Sequence, residues 1–171
     1  MATGENILLG YGVVSINNIP FGLTRGGSVF VTEREIRNIE ADGDKGPVKN
    51  RINIDSEIPK LTVRGLETFS ASDVKKYYPG LSVTPGAGAT PTTDIVTGRL
   101  VIAPGDYVDV KWEGKKKNGK PVTIIVKNAL NLENLEWALE DKNEVIAELV
   151  YTGTYLEANR ETPPWEIIYG R

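Results

Sequence analysis

Glu33 and Glu35 lie two residues apart in a β-patterned run, Ser28 to Ile39. That spacing puts both carboxylates on one strand face. Paired carboxylates can share the acid and nucleophile roles of glycoside cleavage. That chemistry also needs a sugar cleft lined with aromatics, and the neighbours here are Arg34, Arg37 and aliphatics. Interleaved Glu and Arg read instead as cross-strand ion pairs. Asp42-x-Asp44 opens like a calcium loop, but its fifth, sixth and twelfth places hold Gly46, Pro47 and Asn53. A calcium loop needs an oxygen ligand, a glycine and a glutamate there, so the segment reads as an acidic turn. Gly10-Tyr11-Gly12-x-x-Ser15 imitates a dinucleotide-binding turn, which must open a helix. The following residues, Ser15 to Pro20 with Asn17-Asn18, do not form one. Cys 0 and His 0 exclude disulfides, cysteine metal sites and any Ser-His-Asp machinery. These residues predict no enzyme, no metal and no cofactor.

The elements around these residues are mostly strands. The 171 residues suit one domain with a real core. Lys+Arg 20 against Asp+Glu 23 gives a net charge of −3, without the basic surplus of a binder that works by phosphate neutralisation. No apolar run approaches the length of a membrane span. The N-terminus lacks the basic region and long apolar stretch of a signal peptide. A cysteine-free chain fits synthesis in the cytoplasm, where disulfides rarely form. In the Ser28–Ile39 run, Val29, Val31, Ile36 and Ile39 are interspersed among Glu33, Arg34, Glu35 and Arg37 without a regular alternation, so both faces are mixed. A self-sufficient sheet keeps apolar residues on one face. Mixed faces predict that part of this sheet meets a partner chain or a water-filled space.

Further along, Tyr11–Ile16 and Phe21–Thr24 read as strands around Asn17-Asn18. Ile58–Glu67 reads as a strand with Leu61, Val63 and Gly65 on one face. A short helix follows Ser70, whose N-cap role pairs with Asp73. The uncharged stretch 79–93 reads as a flexible loop. Thr97–Ile102, Tyr107–Gly114 and Val122–Lys127 read as strands, the last two joined through Lys115-Lys116-Lys117-Asn118-Gly119, a hairpin turn. Asn128–Leu139 reads as a second helix, with Leu132, Leu135, Trp137 and Leu139 available for packing. Val145–Tyr155 reads as a long strand. Trp112 and Trp137 are core candidates. Trp165 follows Pro163-Pro164 and reads as an anchor, on a neighbouring subunit or on its own. Leu8 and Leu9 carry the same two alternatives for the N-terminus.

The ordered segments GLTRGG, VTEREIRNIEADGDKGPVKNR and IPKLTVRGLE, followed by TGRLVIAPGDYVDVKWEGKKKNGKPVTIIVKNALNLENLEWALEDKNEVIAELVYTGTY, lie within the stretch from about Gly12 to Tyr155. Together they resemble the tail tube (major tail) proteins of long, non-contractile-tailed bacteriophages. The resemblance implies a mainly β fold: an antiparallel β-sandwich or barrel with a flanking α-helix, an extended loop and terminal arms. It divides the chain into an N-terminal arm (1–10), a sandwich domain (11–156) and a C-terminal arm (157–171). It implies hexameric rings of this chain, stacked into a hollow tube, with a tape-measure protein inside, tail-tip and terminator proteins at the ends, and double-stranded DNA passing through. The place implied is the virion tail, assembled in the host cytoplasm, with no membrane partner. Residues 41–57 would reach the adjacent ring, with Asp42, Asp44, Lys45, Lys49 and Arg51 in that loop. Glu33, Glu35, Glu57 and Glu67 would face the lumen, or pair between subunits with Arg34, Arg37 and Arg64. The Lys115–Lys117 tip is a solvated turn or a contact with the next ring. The inner tube of a contractile particle shares the fold. A monomeric glycan-binding β-sandwich is the alternative from a different class. Such a module displays a row of exposed aromatics, and the strands here show none.

Overall fold

The computed structural model describes residues 4–67 and 69–171. The chain is mainly β, with ten antiparallel strands and one α-helix among the described residues. The strands are β1 (Leu8–Ile16), β2 (Ile19–Pro20), β3 (Val29–Asn38), β4 (Ile52–Gly65), β5 (Leu81–Pro85), β6 (Asp94–Gly98), β7 (Val108–Lys116), β8 (Pro121–Asn131), β9 (Ala147–Gly153) and β10 (Trp165–Tyr169). The main sheet has the order β2-β1-β7-β8-β9-β4-β3, and β10 also pairs with β8.

The centre of this sheet is β8. Its residues 122–126 lie beside β10, and its residues 129–131 lie beside β9. One limb therefore holds β1, β7 and β10, and the other holds β9, β4 and β3. Their inner faces share one core. Val14, Ile16, Val110, Trp112 and Val126 come from the first limb, and Leu61, Val63, Leu149 and Tyr151 from the second. Period-two patterning produces this arrangement. In β7, Val108, Val110 and Trp112 are buried while Asp109 and Glu113 are exposed, as the sequence predicts. The Trp112 ring lies over the paired glycines Gly12 and Gly114, where any side chain would collide with it.

Local chemistry explains the turns and the helix. Asn17 and Asn18 both adopt positive φ, 49° and 63°, and turn β1 into β2 as Asn residues can. The helix α1 (Ala71–Tyr77) starts where Ser70 accepts the Asp73 amide at 3.1 Å. It ends with Lys75 and Lys76, where cations suit the helix dipole.

Several expectations change. The second helix is not formed. Residues 129–131 continue β8 because Ala129, Leu130 and Asn131 pair with Gly153, Thr152 and Tyr151 of β9. That pairing outweighs helix propensity. Residues 132–146 then run without helix. The buried Asn131 amide donates to the Tyr77 carbonyl and accepts from Glu133 and Val150. Trp137 is partly exposed and packs edge-on against Phe69, at 5.2 Å between centroids. The 79–93 loop contains β5, which pairs with β6 in a separate hairpin, so the irregular part shrinks to 86–93. The strand expected at 97–102 lies at Asp94–Gly98 for the same reason. The strand expected at 145–155 spans Ala147–Gly153.

Part of each terminal segment is a strand of this chain's own sheet, β1 from Leu8 and β10 at Trp165–Tyr169. Leu8 opens β1 opposite Lys116, and half-buried Leu9 follows it. Residues 1–3 of the N-terminal arm lie outside the described residues. At the other end, Trp165 to Tyr169 pair with Val126 to Val122. The two prolines stop regular structure only as far as Pro164. The Trp165 ring packs against Phe30 of β3 at 5.7 Å, which joins the two limbs within one subunit. No helix among the described residues is long and apolar enough to cross a membrane.

Candidate functional site

The charged run and its partner form one hairpin, β3–β4, that outgrows the sheet. β4 has fourteen residues, yet only Lys60 to Gly65 pair with β9. Ile52 to Pro59 pair with β3 alone. The outer edge of β3 has no strand beside it among the described residues. The distal hairpin is therefore a two-stranded ribbon, a form that is marginal without further packing.

The register assigns each side chain to a face. Phe30, Thr32, Arg34 and Ile36 of β3 share a face with Ile54, Glu57, Pro59 and Leu61 of β4. This is the core face, carried outward beyond the core. The opposite face holds Val31, Glu33, Glu35 and Arg37, with Asn53, Ile58, Lys60 and Arg64. A bulge between Glu35 and Ile36 keeps both alternations in step despite the extra residue in β4.

Nearly every charge on the hairpin has a partner within the chain. Lys60 Nζ meets Glu33 at 2.8 Å. Arg37 grips Asp55 with two nitrogens, at 2.7 and 3.2 Å. Asn53 adds a bond to Asp55 at 2.8 Å. The Arg37 bond, then the Asn53 bond, holds the Asp55 carboxyl below the usual carboxylate range. The same contact raises Arg37. Glu35 accepts from Ser56 at 3.4 Å. Arg64 binds Glu148 of β9 at 2.7 Å and the Gly26 carbonyl at 3.2 Å.

Glu57 is the exception in burial, since its side chain is only 10% exposed. It accepts from Arg34 and from the indole N–H of Trp165. The Tyr155 hydroxyl donates to the Glu57 carbonyl at 2.8 Å. The hairpin base is thereby tied to the C-terminal strand. The four acids expected on one surface are divided. Glu33 and Glu35 share the outer face, Glu57 lies on the core face, and Glu67 lies beyond the strand, where it accepts the Leu23 amide at 3.4 Å. Arg34, Arg37 and Arg64 pair inside the chain.

The loop expected at 41–57 is shorter, because β4 begins at Ile52. Asp44 closes it by accepting the Ala41 amide at 2.8 Å and Arg51 at 2.7 Å. The Ile39 amide donates to the Arg51 carbonyl. Asp42, Lys45 and Lys49 are exposed on the tip. Among the described residues no group of three acidic side chains converges as a metal site.

The signal that charge reasoning missed is apolar. Ile36, Ile52 and Ile54 are 62%, 57% and 52% exposed, and Ile39 and Ile58 are exposed as well. Ile36 and Ile54 stand directly opposite each other. Alternation of Ile52 and Ile54 with Asn53 and Asp55 was visible in the sequence as strand period. An open cleft of about 670 Å³ lies between this ribbon and the C-terminal turn, bordered by Ile54, Ile58, Tyr155, Arg160 and Pro163.

A scan against protein-family models and a search of curated proteins give no match to the chain.

Proposed function

We propose that this chain is a structural virion protein, the subunit of a hollow tail tube in a long, non-contractile phage tail. The observation that carries the reading is the overhanging β3–β4 hairpin, with exposed isoleucines on a continuation of the core face and a ten-residue strand unpaired along its outer edge. A long uncovered edge strand that leaves apolar side chains in water is a liability for a solitary protein. It becomes an asset where the next copy covers it. Head-to-tail contact between copies closes into a ring when the rotation fits, here hexameric as in the resembling family. Stacked rings would enclose the tape-measure protein first and DNA later, with tail-tip and terminator proteins at the ends. The sandwich of the tail tube fold is the corresponding reading of the two limbs around one core.

The ion pairs support passage of DNA. Arg34, Arg37, Lys60 and Arg64 each hold a carboxylate of their own chain. A wall built from such pairs offers few free cations to phosphate, whose neutralisation drives nucleic-acid adhesion.

Negative-stain electron microscopy at several protein concentrations, with light scattering for mass, tests the reading. Rings or hollow tubes are expected. A chain that stays monomeric at every concentration, and also after addition of a tail-initiator complex, would overturn it.

A further inference from the structure

Two surfaces outside the hairpin are opposite in charge and lie at opposite ends of one strand. At the start of β8, the turn from β7 carries Lys115, Lys116, Lys117 and Lys120 within six residues. None of the four makes an ion pair among the described residues. Lys116 sits over the Tyr169 ring at 5.0 Å. The N-terminal segment runs alongside, its Ile7 and Glu5 carbonyls accepting the Lys117 and Asn118 amides. Ile7, Leu8 and Tyr169 are exposed there. The tip is thus cationic with an apolar flank, with Glu113 two residues before Lys115 and Glu5 on the adjoining N-terminal segment.

At the other end of β8, residues 132–146 carry Glu133, Glu136, Glu140, Asp141 and Glu144 against Lys142 alone. Glu144 is paired with Arg25 at 3.0 Å, and Glu140 accepts from Asn143. Glu133, Glu136 and Asp141 have no cation within the chain among the described residues. Leu132, Leu135 and Leu139 are exposed at 59%, 48% and 78%. Between this segment and β9 opens a cleft of about 420 Å³ lined by Glu133, Glu136, Ala138, Ile146 and Val150, with the Arg64-bound Glu148 at its wall.

We propose that the lysine turn of one copy docks on the acidic, leucine-bearing segment 132–146 of a second copy. The occupant follows from complementarity of charge, which selects and steers partners. It follows also from placement. The eleven residues of β8 separate the two surfaces by about 3.3 Å each, on the order of 30 Å in all. A surface at one end that fits a different surface at the other end makes a heterologous contact, which repeats along the strand direction. The same contact covers Leu132, Leu135 and Leu139, which a single copy leaves in water. This inference rests on the self-assembly reading and names a second joint for it, distinct from the β3–β4 hairpin.

The chain has no cysteine, so single thiols can be placed at will. A Lys117→Cys chain mixed with a Glu136→Cys chain and a short bismaleimide linker is expected to give mixed dimers. Their yield should exceed that of Lys117→Cys with the loop control Thr92→Cys about tenfold, and should fall as salt screens the charges. Equal yields would overturn the proposal. The second measurement uses charge reversal. Lys115→Glu/Lys117→Glu/Lys120→Glu and Glu133→Lys/Glu136→Lys/Asp141→Lys should each lose assembled mass, and one chain carrying both sets should regain it. Circular dichroism verifies that each variant folds. Normal tubes from both reversed chains would sink the joint while leaving the tube standing. A specific mixed dimer from a chain that forms no rings would do the reverse.

Discussion

The two halves of β4 contain similar residue types and reach different environments. From Lys60 to Gly65 the strand has β9 on one edge and, on the other, β3 as far as Thr62 and then the Thr24 bridge to Gly65, and Leu61 and Val63 are sealed in the core. From Ile52 to Ile58 it has one neighbour, and three isoleucines stand in water. Burial of apolar surface is the main source of folding free energy. The distal half instead relies on ion pairs, which contribute little where water screens them. The contrast separates the part of the molecule that makes it fold from the part left unsatisfied by folding.

The comparison can be broken most directly by truncation. Leu149→Ala, opposite Val63 in the body, should cost about 3 kcal/mol in denaturant unfolding, as for a fully buried leucine. Ile54→Ala should cost less than about 0.5 kcal/mol in the isolated chain, as for an exposed site. It should nevertheless weaken assembly. Equal costs in the isolated chain would mean that the hairpin already packs as tightly as the body.

Trp165 sits at the boundary between the halves. Trp165→Ala should cost about 2–3 kcal/mol, less than for a sealed tryptophan, because the ring is half-buried. Trp165→Phe keeps the packing on Phe30 and removes only the donor to Glu57, at about 1 kcal/mol. If the two substitutions cost the same, the Glu57 bond rather than the ring holds hairpin and body together.

Alkali should attack the body first. Burial raises Tyr151 well above its ordinary value, and it raises Tyr77 and Tyr78 as well. A raised phenol favours the neutral form in the folded chain. Its stabilising contribution is full below the ordinary tyrosine value of about 10 and is lost as pH rises toward the folded-state value. The Tyr151 hydroxyl meets no hydrogen-bond partner among the described residues. Tyr151→Phe should therefore leave neutral stability nearly unchanged and move the alkaline unfolding midpoint upward, followed by circular dichroism.

Acid should have the smallest effect, and it belongs to the hairpin. The Asp55 carboxyl is lowered by Arg37, so the pairing is present above the ordinary aspartate range and lost as pH falls through the lowered value. Both groups are solvent-exposed, and the loss should be invisible in a melt. A carboxyl-carbon titration by NMR should show Asp55 depressed in the native chain and moved back toward the ordinary value in Arg37→Ala, with the Asn53 bond keeping part of the shift.

Much of the body was legible from sequence. Asn17-Asn18, the Ser70 cap, and the alternations in β7 and in Leu61–Gly65 express local rules, which depend only on near neighbours along the chain. The hairpin was legible as a mixed-face anomaly around Glu33 to Arg37. Which acid meets which base was not. Glu57 lies 108 residues from Trp165, and no local pattern encodes that approach. The misplaced helix at 128–139 has the same origin, since its residues satisfy helix periodicity and Ala129–Asn131 were captured by β9.

The sequence by itself determined a cysteine-free β chain, its principal turns, its short capped helix and a charged strand unable to hide both faces. Those properties follow from backbone preference, period-two patterning and the absence of two residue types. Only the tertiary structure decided that the termini join the chain's own sheet, that Glu57 turns inward, and that Ile36, Ile52 and Ile54 extend the core face past the end of the core. Pairing between distant strands sets these outcomes, because a backbone edge accepts whichever strand offers the best register and packing.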